Sequence, residues 1–227
     1  MAPGETRRSF LLGPEGKLRF LLWVVMEEDR VGLVTEDGRG AELAQALGRY
    51  RIRVDVEIEE ETGDVRVVVG DWTGPDVSWG DVERHLVLGQ KPDLPEGSPA
   101  EYELARIRAG EPAWGVDVDD ATIPHESGLV PLSVDFDKGC FLGQELVARI
   151  DSRGAETPRH LAIIATEAGD LAPGVEISRA GEPAGVVTSA GGGVGLAMVR
   201  RGIEDGATVE VGGLPARVLG IPSKSEE

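Results

Sequence analysis

Residues 138–153 read KGCFLGQELVARIDSR and hold the only cysteine of the chain, Cys140, between Gly139 and the bulky Phe141. Gly143, Gln144 and Glu145 follow directly. Leu142, Leu146, Val147 and Ile150 then recur at spacings that put them on one face of a helix, so the polar cluster is expected at a loop-to-helix junction. The first turn of a helix presents unpaired backbone N–H groups and a partial positive charge. A thiol placed there, with Lys138 two residues away, would have its thiolate favoured. The plain alternative is that Cys140 is a small buried hydrophobe, as free cysteines commonly are.

On both sides of this run the chain separates by pattern. After Arg153-Gly154 it turns into short β-runs between glycines, with strands expected at Leu161 to Thr166, Val175 to Ser178, Pro183 to Ser189, Gly193 to Val199, Thr208 to Val211 and Pro215 to Leu219. Short strands with turn signals between them predict a small closed or nearly closed barrel. Before the run, Ser9 to Leu12, Leu18 to Met26 and Val31 to Thr35 read as strands, Ala41 to Leu47 as a short helix and Ile52 to Ile58 as an alternating strand. Val65 to Val69 is a further strand and Val82 to Leu88 a short element. Tyr102, Leu104, Ala105 and Ile107 begin a helix that Gly110 and Pro112 stop. The fold class is α+β: residues 1–155 form antiparallel sheets with helices, residues 156–222 a C-terminal β-barrel, and 223–227 a frayed tail.

Composition narrows the function. The 227 residues are 41% apolar, enough for a real core, and no run of about 18 apolar residues or N-terminal apolar leader is present, so the chain reads as cytoplasmic with no membrane partner. A single cysteine fits a reducing compartment. The formal charge of −18, from 41 acidic against 23 basic side chains, argues against direct nucleic-acid binding. His85, His125 and His160 show no metal-ligand spacing, and no metal site is expected.

Lys138 to Glu145 resembles the K-G-C-Y/F-x-G-Q-E signature of the YgfZ family, folate-binding proteins related to the T-protein of the glycine cleavage system that act in iron–sulfur cluster assembly or repair. Arg106, Gly110, Pro112, Gly115 and Asp117, then Pro124, Glu126 and Leu129, resemble its second signature, R-x-x-x-G-x-P-x-x-G-x-D ahead of P-x-E-x-x-L. The text SFLLGPEGKLRFLLWVV with ALGRYRIRVDVEIEE is similar to the first third of the family's folate-binding domain, and AGVVTSAGGGVGLAMVRRG to its terminal barrel. The likeness runs from about Ser9 to Pro222 and thins between Glu60 and Pro99, where the family is usually longer. The family also has a further strand and helix ahead of Ser9, so the chain is expected to be a shortened member or to start late.

The resemblance implies a T-protein-like fold, a bound tetrahydrofolate or other reduced folate, and iron–sulfur client or assembly proteins as partners. A pterin's amide–amidine edge suits a carboxylate accepting two N–H bonds, which makes Glu126 the first candidate. Arg106 would hold the glutamate tail or pair with Glu126, and Tyr102 or Trp114 would stack on a ring. Asp117, Gln144 and Glu145 complete the implied folate set, while Trp72 and Trp79 read as packing residues. The plain alternative makes Arg106 and Asp117 a structural ion pair. Cys140 and Lys138 carry the chemistry implied: an exposed thiolate acting on clusters, necessarily with a partner or by redox, since a cluster takes about four thiolates. Where aminomethyltransferases carry an acidic pair, this chain has Arg19 and Phe20, which cannot accept a proton. An accessory factor is therefore the leading expectation, with a tetrahydrofolate-dependent aminomethyltransferase or demethylase, and a non-catalytic module that has kept the fold, as the alternatives.

Overall fold

The computed structural model describes residues 1–61, 63–80, 82–89, 91–154 and 156–221. They form two compact units. The first comprises residues 1–11, 20–78 and 82–94; the second comprises 12–19, 79–80 and the described residues from Pro95 onward.

Strands β1 (Thr6–Leu12), β2 (Leu18–Met26) and β3 (Val31–Val34) make an antiparallel sheet in that order, and α1 (Gly40–Gly48) follows. Phe20 and Leu22 from β2 pack with Leu43 and Ala46 of α1, and the Arg39 guanidinium lies 4.1 Å over the Phe20 ring. Strands β4 (Val65–Val69) and β5 (Arg84–Leu88) form a separate antiparallel pair, whose Leu86 packs with Val25 and Val77. The strand expected over Ile52 to Ile58 does not form. Arg53 turns into the left-handed region with φ 60°, and the Ile52 N–H bonds back to the Tyr50 carbonyl at 2.8 Å, so the chain coils where alternation alone would extend it.

In the second unit, α2 (Pro99–Arg108) starts three residues before the apolar pattern does. The reason is a capping box: Ser98 Oγ accepts the Glu101 N–H and Glu101 accepts the Ser98 N–H. A 3-10 turn (Pro124–Ser127), the one-turn helix α3 (Val130–Ser133) and α4 (Gln144–Arg153) lead to the barrel.

All six expected barrel strands form: β6 (Arg159–Ala165), β7 (Glu176–Arg179), β8 (Glu182–Gly191), β9 (Val194–Arg200), β10 (Thr208–Val211) and β11 (Leu214–Leu219). They close in the order β10-β11-β6-β9-β8-β7, every neighbouring pair antiparallel. Alternate residues such as Ile164, Ile177, Val187, Val199 and Val209 fill the interior. The outer face of β6 and β9, with Leu161, Ile163, Leu196 and Met198, receives Ile107 of α2. Among the described residues no helix is long and apolar enough to cross a membrane.

Candidate functional site

The exposed loop ahead of α4 carries the signature residues. Asp135 Oδ1 accepts the N–H groups of Asp137 and Lys138 at 2.9 and 3.1 Å, turning the chain outward. Lys138, Gly139 and Cys140 are all exposed, which removes the buried-hydrophobe alternative for the thiol. The Lys138 ammonium sits 5.2 Å from the centre of the Phe141 ring. Phe141 and Gln144 lock the junction reciprocally: Gln144 Oε1 accepts the Phe141 N–H at 2.9 Å and the Phe141 carbonyl accepts the Gln144 N–H at 3.3 Å. Gln144 is thus occupied by the loop itself, and Glu145 is exposed on the first turn of α4.

Gly143 is the N-cap, at φ 75°, where a β-carbon would lie 2.7 Å from both the Gly13 carbonyl oxygen and Gly16 Cα. Gly16, itself at φ 81°, would clash in turn with Leu146 Cβ. The GPEG turn is therefore pressed against the start of α4, backbone to backbone. In the sequence, residues 13–16 fall between the expected strands Ser9 to Leu12 and Leu18 to Met26. The paired glycines were the signal that two stretches of backbone meet.

The second signature folds into a buried polar network. Arg106 spends each of its five N–H groups: Nε on Glu103, Nη1 on the Glu111 carbonyl at 3.0 Å and Asp117 Oδ2 at 2.7 Å, and Nη2 on Glu103 Oε2 at 2.7 Å and Ser189 Oγ at 2.8 Å. Asp117, whose side chain is 0% exposed, also accepts the Ala113 N–H through Oδ2 and the hydroxyls of Thr188 and Ser189 through Oδ1. Adjacent strand residues normally point to opposite faces. Here the register of β8 against β9 shifts between Val187 and Ser189, and this bulge lets both hydroxyls reach one carboxylate oxygen. Gly110 and Gly115, at φ 74° and 75°, make the turns that bring Asp117 back to Arg106. Burial alone would lower the Arg106 pKa, but the hydrogen bonds and charges of Glu103 and Asp117 hold it above the ordinary guanidinium value. Neither Arg106 nor Asp117 has a group left for a ligand. Thr188, Ser189 and Glu103 escaped sequence reading because the bulge that recruits two of them has no local signature.

Glu126 stands in a different environment, on the 3-10 turn. Its Oε2 accepts the Ile123 N–H at 3.1 Å and its Oε1 accepts Arg159 Nε at 3.2 Å. An ionised carboxylate has about four acceptor positions, so capacity remains. Arg159 is 44% exposed while Glu126 is 5% exposed, so the pair leads from the surface to a buried carboxylate. Helix α4 packs against this turn. Tyr102 is exposed on α2, Trp114 lies in the turn closed by the Gly115 N–H bond to the Val118 carbonyl, and Trp79 is buried with its indole N–H on the Ala109 carbonyl. Phe20, at the position compared with the acidic pair, is fully buried.

His125, beside Glu126, has both ring nitrogens buried without a hydrogen-bond partner among the described residues. Burial lowers its pKa below 6.5 against the opposing pull of Asp151, and burial lowers that of His160 against Glu156. In the unfolded chain both titrate near 6.5, so protons bind there first. Their contribution to stability is whole above about pH 6.5 and is lost as the pH falls through the depressed folded values. The melting temperature should fall between about pH 7.5 and pH 5.5, and the double variant His125→Phe, His160→Phe should flatten that fall. An unchanged slope would assign the acid limb to carboxylates.

Residues 159–222 match the family described as CAF17, C-terminal beta-barrel domain. An uncharacterized protein of Haemophilus influenzae is 30% identical over 165 residues, 68% of this chain and 59% of that protein. The mitochondrial iron-sulfur cluster assembly factor IBA57 homolog of Cryptococcus neoformans is 37% identical over 93 residues, 37% of this chain and 25% of its own length. The mitochondrial iron-sulfur cluster assembly factor IBA57 of Mus musculus is 33% identical over 111 residues, 46% of this chain and 31% of its own. The chain thus spans 25% to 59% of these relatives. The crystal structure of glycine cleavage system aminomethyltransferase T from Bartonella henselae shares the fold, with a TM-score of 0.76 over 98% of this chain and 76% of that one at 17% identity. The chain therefore carries a CAF17-type C-terminal barrel domain and shares the fold of aminomethyltransferase T.

Proposed function

We propose that this chain is a folate-binding YgfZ-type accessory factor that supports assembly or repair of iron–sulfur clusters in client enzymes. The observation that carries the reading is the exposed Cys140 thiol, on a loop pinned to α4, in a chain whose relatives are named iron-sulfur cluster assembly factors. In this reading Cys140 meets the client or its cluster at the surface, and Lys138 lends a positive charge beside it. A reduced folate takes the remaining acceptor positions of Glu126, with Arg159 at the entrance and Tyr102 and Glu145 as exposed candidates near the ends of their helices. Arg106 and Asp117 serve as scaffold, because their hydrogen-bonding groups are already spent. Folate supplies one-carbon chemistry or a reactive-species trap when bound. The aminomethyltransferase alternative loses ground at Phe20, a buried ring over which Arg39 is stacked.

The test combines two readouts on the full chain: calorimetric titration with tetrahydrofolate, and recovery of a cluster-dependent enzyme in cells lacking the endogenous protein. Wild type should bind and support recovery. Glu126→Gln should weaken binding about tenfold or more by removing the charge that faces the pterin. Cys140→Ser should bind normally yet fail to support recovery. Full recovery by Cys140→Ser overturns the thiol's role; recovery without any tetrahydrofolate binding leaves an accessory factor that does not use folate.

A further inference from the structure

The segment Arg49 to Glu59, RYRIRVDVEIE, alternates apolar and charged residues as a strand would, yet it joins no sheet among the described residues. Tyr50, Ile52, Val54 and Val56 are 51%, 71%, 55% and 49% exposed. From Val54 to Glu60 the backbone has no hydrogen-bonded partner among the described residues, and no ion pair joins Arg49, Arg51, Arg53, Asp55, Glu57 or Glu59 to any of them. The Tyr50, Arg51 and Ile52 N–H groups bond within the turn that follows α1, to the carbonyls of Leu47, Gly48 and Tyr50, so the backbone is open from Val54 onward while the apolar row from Tyr50 to Val56 is exposed throughout. Exposed apolar side chains beside open backbone groups are a template for pairing with another chain.

The charges say which chain. Fold the segment antiparallel on a second copy about a two-fold axis through Val54, and Arg53 stands opposite Asp55, Arg51 opposite Glu57 and Arg49 opposite Glu59. On the other face Ile52 meets Val56 and Tyr50 meets Ile58, while Val54 meets its own copy. Every cross-strand pair is then either opposite in charge or apolar on both sides. Slipping the register by two residues brings Arg53 against Arg53 or Asp55 against Asp55. Parallel pairing in register stacks like on like throughout. One arrangement alone satisfies the pattern, and it is the isologous contact that a symmetric dimer requires.

We infer that residues 49–59 are a self-recognition strand through which two copies of this chain pair antiparallel about Val54. Pairing would draw Arg53 out of the left-handed region into the extended backbone that its side chain prefers. One strand pair is small for an interface, which makes the dimer weak, in the micromolar range, and sensitive to salt because its register rests on rows of charge.

Sedimentation velocity of the full chain from about 2 to about 200 µM should show a concentration-dependent shift from monomer to dimer, weakened at high salt. Arg51→Glu, Arg53→Glu in one variant, and Asp55→Arg, Glu57→Arg in another, should each weaken self-association more than tenfold. An equimolar mixture of the two variants should restore a dimer, because every reversed pair then meets its complement. Thermal melts should confirm that both variants stay folded, as expected for exposed positions. A wild type that stays monomeric at about 200 µM overturns the inference, and so do variants that dimerise as wild type does.

Discussion

Asp117→Ala should lower the free energy of unfolding by about 3–5 kcal/mol, the loss typical when one partner of a buried ion pair is removed and the other charge stays behind. The residue left behind is Arg106, whose side chain is 5% exposed and whose Nη1 would lose its Asp117 carboxylate. The loss also frees the Ala113 N–H and the hydroxyls of Thr188 and Ser189, each a buried or half-buried donor with one acceptor fewer. Arg106→Lys should fall between wild type and Asp117→Ala, since an ammonium keeps the charge but cannot span Glu103, the Glu111 carbonyl, Asp117 and Ser189 together. Urea denaturation checks the magnitudes, and amide exchange checks the location: protection should fall over Pro99–Arg108 and around the β8 bulge, the elements the network ties together. A loss under about 1 kcal/mol would mean that the pair merely offsets its own desolvation.

Legibility followed the range of the interaction involved. The six barrel strands were readable because each alternates within itself and is closed by its own glycine turn, and β1 to β3 and α1 were readable for the same local reason. Ile52 to Ile58 misled because it has the alternation of a strand but pairs with no strand among the described residues. The α2 start was misplaced by three residues through giving apolar spacing precedence over the Ser98–Glu101 capping box. Arg106 and Asp117 were legible as a possible pair eleven residues apart, but their third corner on β8 depends on a bulge in a strand about seventy residues away. Glu126 was legible as a chemical type; its partner Arg159 belongs to another element and became visible only in three dimensions. The exposure of Cys140 likewise depends on the Asp135 turn that swings the loop outward.

The same distinction yields an opposed pair of expectations for the two glycines flanking the cysteine. Gly143→Ala should destabilise by about 3 kcal/mol or more, combining about 1–2 kcal/mol for a side chain in the left-handed region with overlap against fixed backbone. The atoms in the way, the Gly13 carbonyl oxygen and Gly16 Cα at 2.7 Å, belong to a turn closed by its own hydrogen bonds from Gly13 N to Lys17 O and from Gly16 N to Gly13 O. Neither can rotate aside as a side chain would, so the turn or the start of α4 must move. Gly139→Ala should stay within about 0.5 kcal/mol, because no atom lies within 4 Å of its would-be β-carbon and its φ is not positive. Gly16→Ala removes the same contact from the other side, so the double variant Gly16→Ala, Gly143→Ala should cost less than the sum of the two. The rate at which a disulfide reagent modifies the single thiol reads the loop directly. Displacing Gly143 strains the Phe141–Gln144 bonds and should change that rate, whereas Gly139→Ala, beside the thiol but free of contacts, should change it less. Equal stability losses for Gly139→Ala and Gly143→Ala would show that the backbone contact at residues 13–16 does not constrain α4. If the loop moves and client recovery falls in Gly143→Ala with Cys140 still present, the position of the thiol, and not the mere presence of a cysteine, is what the signature preserves.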